Sequence, residues 1–188
     1  MKKIYFATSN KNKLMEAQEI GKNYKILFEK IDIKIEEIRS ENIEEIAKYK
    51  CLKIYEKIKK PLIVEDAGIF IVALNCFPGT CSAYVHKKIK NVGILKLMEG
   101  IENRKAKFVS CVAFYDGKNL KIFNGECKGK ISEKEKGNNG FGYDPIFIPY
   151  EDNPLQETFA ENFELKKKVS HRTKAIEKFC EFYLKYKI

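Results

Sequence analysis

The stretch KIYFATSNKNKLMEAQEIG, residues 3–21, decides the fold class. Lys3 to Phe6 read as a short buried strand, and Leu14, Ala17 and Ile20 recur at the spacing of an amphipathic helix that ends near Gly21. Between them lies a polar turn, where phosphate-binding loops usually carry glycine; this one has none. Further along, YKILFEKIDIKI, residues 24–35, is apolar at 24, 26, 28, 31, 33 and 35, the alternation of a half-buried strand. Asn42 stands three positions before Glu45, the spacing of a capping box. Ile43, Ile46, Ala47, Tyr49, Leu52, Ile54, Tyr55 and Ile58 then mark one long helix that Pro61 stops. LIVEDAG, residues 62–68, reads as a buried strand entering a turn at Asp66 and Gly68. Strand, helix, strand, helix, strand predicts an α/β core.

The second part of the chain begins with a loop, NCFPGTCS at 75–82, and helical spacing from Tyr84 to Met98 closed by Gly100. Two apolar runs, AKFVSCVAFY and LKIFNGECKGKI, are joined by DGKN, a hairpin signal. A further strand is expected at DPIFIP, residues 144–149, and a terminal helix after Ser170 with apolar residues at 175, 176, 179, 180, 183 and 184. The expectation is one domain, residues 1–188, with the hairpin region forming a lobe opposite the first α/β half and a ligand cleft between them.

The formal charge is +10, from 36 basic and 26 acidic residues, and only Arg39, Arg104 and Arg172 are arginine. Such an excess fits a nucleic acid or a polyanionic substrate, but it is spread along the chain with no basic tail. Six cysteines, at 51, 76, 81, 111, 127 and 180, form no Cys-x-x-Cys pair, and His86 and His171 are the two histidines. Neither a zinc cage nor a redox dithiol is indicated, and reduced, mostly packing cysteines are expected. The sequence shows no membrane-span signal and no secretory leader pattern, so a cytoplasmic location is expected.

Four segments carry candidate chemistry. In TSNKNK, residues 8–13, Ser9 or Asn10 is a good cap for the first helix, whose opening N–H groups attract an anion. Lys11 and Lys13 crowd positive charge onto the positive end of that helix, which costs about 0.3–1 kcal/mol per cation unless an anion offsets it. SHR, residues 170–172, shows the same misfit, with Ser170 as cap and His171 and Arg172 in the first turn. Asp66 ends an apolar strand where open α/β sheets face their ligands, and Glu65, Glu36 and Glu37 are candidates to join it as oxygen donors for a magnesium ion. NNGFGYDPIF, residues 138–147, brings flexible backbone together with Phe141 and Tyr143, fit for stacking on a planar base.

Together TSNKNK, EDAG at 65–68, ALNCFPGTCS at 73–82, GFGYDPIFIP at 140–149, TFAE at 158–161 and SHR are similar to the motifs of the inosine triphosphate pyrophosphatase, or Ham1-like, family, in order and approximate spacing. That resemblance implies an elongated mixed-sheet α/β fold of two lobes with a central cleft, in a homodimer. It implies Mg²⁺-dependent hydrolysis of non-canonical purine nucleoside triphosphates (ITP, dITP, XTP) to the monophosphate and pyrophosphate, with no stable nucleic-acid or membrane partner. Carried onto this sequence, Thr8, Ser9, Asn10, Lys11, Asn12 and Lys13 hold the triphosphate. Glu37 and Asp66 bind magnesium, and Asp66 is the general base. Phe141, Gly142, Tyr143 and Asp144 enclose the base, and Lys166, His171 and Arg172 complete the contacts. Ala67 keeps a place in the substrate set, but the family usually has serine there and the hydroxyl is lost. Cys76 and Cys81 stand where glycine and tyrosine are usual, and a shortened stretch before His171 leaves Lys166, Lys167 and Lys168 as alternatives. The rival readings are a Maf-like nucleotide pyrophosphatase of different base preference and a nucleic-acid-binding protein using the +10 charge.

Overall fold

The computed structural model describes residues 1–186. Among these residues five α-helices and seven strands follow one another as β1 (Lys2–Ala7), α1 (Lys11–Asn23), β2 (Ile26–Ile31), α2 (Ile43–Ile58), β3 (Leu62–Ile71), β4 (Pro78–Gly79), α3 (Ser82–Leu97), β5 (Lys105–Tyr115), β6 (Leu120–Ile131), β7 (Phe147–Pro149), α4 (Phe163–Val169) and α5 (His171–Lys185). The seven strands form one mixed sheet in the order β2-β1-β3-β5-β6-β7, with β4 paired to β3. β1 runs parallel to both β2 and β3, Ile4 opposite Phe28 and Phe6 opposite Ile63. The β1–α1–β2 crossover is the strand-turn-helix unit that residues 3–21 predicted.

The chain divides into two compact units, and β3, β5 and β6 each contribute to both. The first unit comprises Met1–Asp66, Ser110–Gly125 and the chain from Arg172 onward. Its core joins Ile4 and Phe6 of β1, Ala17 of α1, Phe28 of β2, Val112 and Phe114 of β5, and Ile176 and Phe179 of α5. Each of these valine, isoleucine and phenylalanine side chains contributes about 1.5–3 kcal/mol by leaving water. The second unit, Ala67–Val109 and Glu126–His171, packs Ile69, Ile71, Ile94, Met98, Phe108, Phe147 and Phe159.

Several local expectations change. β3 does not turn at Asp66 and Gly68 but continues to Ile71. Gly68 serves close approach here, since a Cβ on it would lie 2.3 Å from the Gly79 carbonyl oxygen of β4. β2 stops at Ile31, and residues 32–42 are neither helix nor strand. The capping box does not close: Asn42 Oδ1 accepts from Glu44 N–H, while Glu45 accepts from Ser40 Oγ at 2.7 Å. α2 ends at Ile58, with Lys59 in the left-handed conformation, before Pro61 is reached. DPIFIP begins as a 3-10 turn at Asp144–Ile146, so β7 is only Phe147–Pro149, and the short helix α4, capped by Asn162, is not among the expected elements. The hairpin forms as expected, with Asp116 Oδ1 accepting from the N–H groups of Lys118 and Asn119. All six cysteines are free; Cys76 and Cys81 are exposed and the other four buried. No described helix is long and apolar enough to cross a membrane.

Candidate functional site

In the first unit, Asn10 and not Ser9 caps α1: its Oδ1 accepts from Asn12 N–H at 2.9 Å and Lys13 N–H at 3.3 Å, and Asn10 N–H donates to Thr8 Oγ1 at 3.1 Å. The cap therefore occupies two of the N–H groups that the helix start would offer an anion. Ser9, Lys11 and Asn12 are exposed. Lys13 is directed inward, its Nζ 2.8 Å from Glu65 Oε2 and donating to the Glu65 carbonyl at 3.2 Å.

Glu65 is the centre of a buried charge network rather than a metal ligand. Its side chain is 0% exposed, and besides Lys13 it meets Arg172 Nε at 3.2 Å and accepts from Ser110 Oγ at 2.6 Å. Arg172 in turn donates through Nη1 to Glu16 at 2.6 Å. Burial by itself would raise the Glu65 pKa, but the charges of Arg172 and Lys13, with hydrogen bonds from Lys13 and Ser110, reverse that and hold its carboxyl well below the usual carboxylate range. The positive charge at the start of α5 is thus balanced by two carboxylates distant in sequence.

Lys50 of α2 brings the two proposed metal ligands together. Its Nζ lies 2.7 Å from Asp66 Oδ2 and 3.1 Å from Glu37 Oε1. Burial would lower the Lys50 pKa, yet the attraction of Asp66, then of Glu37, raises it above its ordinary value. Two carboxylates sharing one ammonium are a pair of hard oxygen donors, the donor type that could hold a divalent cation. Among the described residues no group of three or more His, Cys, Asp or Glu side chains is arranged to hold a metal by itself. Glu36, the alternative to Glu37, is exposed. Lys50 carried a readable signal: seven positions after Ile43 and four before Ile54, it is a charge on the apolar stripe of α2.

In the second unit, the loop 141–144 closes on Asp144, whose Oδ2 accepts from Phe141 N–H and from Lys166 Nζ, both at 2.7 Å. Lys166 is buried and sits 4.4 Å from the centre of the Phe141 ring, a cation–π contact. Lys167 pairs with Glu164 and Lys168 with Asp152, while Lys166 is bonded to the loop through Asp144. Tyr143 is packed into the unit, its hydroxyl donating to the Ser82 carbonyl at 2.8 Å, and burial pushes its pKa up. Phe141 is the half-buried aromatic of this loop. His171 is buried with its ring parallel to that of Phe108 at 4.5 Å. Ala67, in β3, is half-buried and brings no polar side chain.

The chain also matches known proteins along nearly its whole length. A model of the Ham1 family covers residues 4–182. The chain belongs to the Ham1 family. A relative from Methanopyrus kandleri, named dITP/XTP pyrophosphatase, is 50% identical over 183 residues, 96% of each chain. One of the same name from Saccharolobus solfataricus is 45% identical, over 98% of this chain and 95% of its own. Among solved structures, a HAM1 protein from Coxiella burnetii superposes with a TM-score of 0.84 at 29% identity, covering 99% of this chain and 100% of its own. The Ham1 protein of Staphylococcus aureus gives 0.82 at 28%, with the same coverage. The mixed α/β architecture expected from the sequence is therefore that of solved Ham1 proteins.

Proposed function

We propose that this Ham1 protein hydrolyses non-canonical purine nucleoside triphosphates, ITP, dITP and XTP, to the nucleoside monophosphate and pyrophosphate, and so removes deaminated purines from the nucleotide pool. The names of the relatives at 50% and 45% identity support the substrate class. The observation that carries the chemistry is the convergence of Glu37 and Asp66 on one ammonium, beside which a divalent cation finds hard oxygen donors. Bound there, Mg²⁺ would neutralise phosphate oxygens and the leaving pyrophosphate.

The residues of the chain do the rest. Thr8 to Lys13 and Lys50 surround the polyphosphate with polar groups and positive charge. Asp66 accepts the proton of the water that attacks the α-phosphorus, while the bond to the bridging oxygen breaks and pyrophosphate departs. Phe141 stacks on the base, and Lys166, anchored by Asp144, holds the loop around it. Donors on His171 and Arg172 suit the 6-keto oxygen of hypoxanthine and xanthine. The 6-amino group of adenine would face them donor to donor, an unpaired arrangement that costs several kcal/mol when buried. The reading includes a homodimer and a cytoplasmic enzyme.

The test is pyrophosphate release from a panel of ATP, GTP, ITP, dITP and XTP, with and without Mg²⁺. Pyrophosphate from the deaminated nucleotides only, and only with the metal, is expected. Equal rates for ATP, GTP and ITP would sink the substrate class, and orthophosphate as first product would sink the reaction. Affinity for nucleic acid falling steeply with salt, without pyrophosphate release, would favour the nucleic-acid-binding reading.

A further inference from the structure

Helix α3 is built at visible cost, and every cost serves one contact. Residues buried on it are Ser82, Val85, Asn91 and Ile94. In an unbroken helix, the side that Val85 faces would continue through Ile89 and Val92, four and seven positions on. These two apolar side chains are instead 39% and 55% exposed. The register is changed at Lys90, which has φ 58° and ψ −170°, a region nearly reserved for glycine and about 1–3 kcal/mol unfavourable for a side-chain-bearing residue. The break rotates an amide inward where an aliphatic side chain would have gone. Asn91 is 6% exposed, its Nδ2 donates to the Gly142 carbonyl at 3.1 Å, and its Oδ1 is buried with no hydrogen-bond partner among the described residues. A leucine of similar size would avoid that orphan acceptor, which costs about 1–3 kcal/mol. Packing therefore does not account for asparagine here.

The contact so secured falls on the one residue of the loop 141–144 that has no side chain to anchor it. Gly142 has φ +65°, and a Cβ built on it would meet nothing within 4 Å. Its neighbours are fixed by their own groups, Phe141 and Asp144 through each other and Tyr143 through Ser82. The His86 ring lies 5.0 Å from that of Tyr143. Asn91 thus clamps the peptide plane that follows Gly142, at the point where backbone entropy is greatest.

We propose that Asn91 is a positioning residue for the base loop, holding the Gly142 carbonyl so that 141–144 is preformed to receive a 6-keto purine. The proposal rests on the reading of 141–144 as the base-binding loop. Its test compares Asn91→Leu with the parent chain in pyrophosphate release from ITP and ATP and in thermal melting. Removing strain-free packing would lower Tm; removing this amide is expected to leave Tm equal or higher. KM for ITP should rise by about tenfold, the worth of one hydrogen bond, with kcat unchanged and the preference for ITP over ATP reduced. Asn91→Ala, which removes the same donor at a cavity's cost in Tm, should give the same KM rise and guards against misfolding of the leucine variant. An active parent whose two variants keep KM and preference overturns this inference alone. A parent that releases no pyrophosphate from any triphosphate overturns the proposed function and this inference with it.

Discussion

Glu65→Gln changes one charge and almost no volume, at the point where Lys13 of α1 and Arg172 of α5 converge. The carboxylate it removes is 0% exposed, 2.8 Å from Lys13 Nζ and 3.2 Å from Arg172 Nε. Leaving a buried charge without its partner costs about 3–5 kcal/mol. The lower end applies, because Arg172 keeps Glu16 at 2.6 Å, the Lys13 side chain is 18% exposed, and the new amide oxygen still accepts from Ser110. For a chain of this length each kcal/mol shifts Tm by about 2–4 °C, so about 3 kcal/mol corresponds to a fall of about 6–12 °C. Calorimetry or urea unfolding at neutral pH reads it. The pH dependence has a definite sign. The Glu65 pKa is depressed in the folded protein, so its contribution is complete above the unfolded value of about 4.3 and is lost as pH falls through the folded one. The gap between parent and variant should hold constant from about pH 8 to about pH 5 and narrow in stronger acid. A variant melting within about 1 °C of the parent, or a gap that widens on acidification, would refute the network as a source of stability.

Asp66→Asn is expected to abolish pyrophosphate release with the fold intact by circular dichroism; near-normal kcat would remove Asp66 from the role of base. Lys50→Met leaves Glu37 and Asp66 without their shared cation, so Mg²⁺ alone, with no nucleotide, should raise the Tm of the variant more than that of the parent. An identical response in the two proteins would count against the carboxylate pair as the metal site. His86 has its pKa lowered, first by burial and then by Lys90, with the Gly142 backbone opposing. The folded state then binds fewer protons than the unfolded one, and stability declines as pH falls through about 6.5 toward the folded value. His86→Gln should therefore lose less stability than the parent between about pH 7 and about pH 5, as followed by urea unfolding; parallel curves would contradict this.

What the sequence determined is whatever short-range chemistry settles. β1, α1 and α2 follow from apolar spacing within one or two turns, and the β5–β6 hairpin from Asp116 and Gly117. The Ham1 motifs were also legible, because each is a short run of residue types read directly along the chain. Where the local signal stopped, so did the reading: the capping box looked complete, but Ser40 competes for Glu45, and Asp66 looked like a strand end, but β4 pairs with β3 beyond it. Only the tertiary structure decided which charges are partnered. Glu65 and Arg172 are 107 positions apart, and Glu16 and Arg172 156. In the sequence Glu65 and Asp66 are neighbouring acids of equal promise. In the folded chain one is sealed among two cations and a hydroxyl while the other is left at Lys50 beside Glu37. Successive side chains of a strand point to opposite faces, and what waits on each face is set by distant segments. A carboxylate's role depends on the charge and water around it, and those are properties of the fold rather than of the residues next to it in the chain.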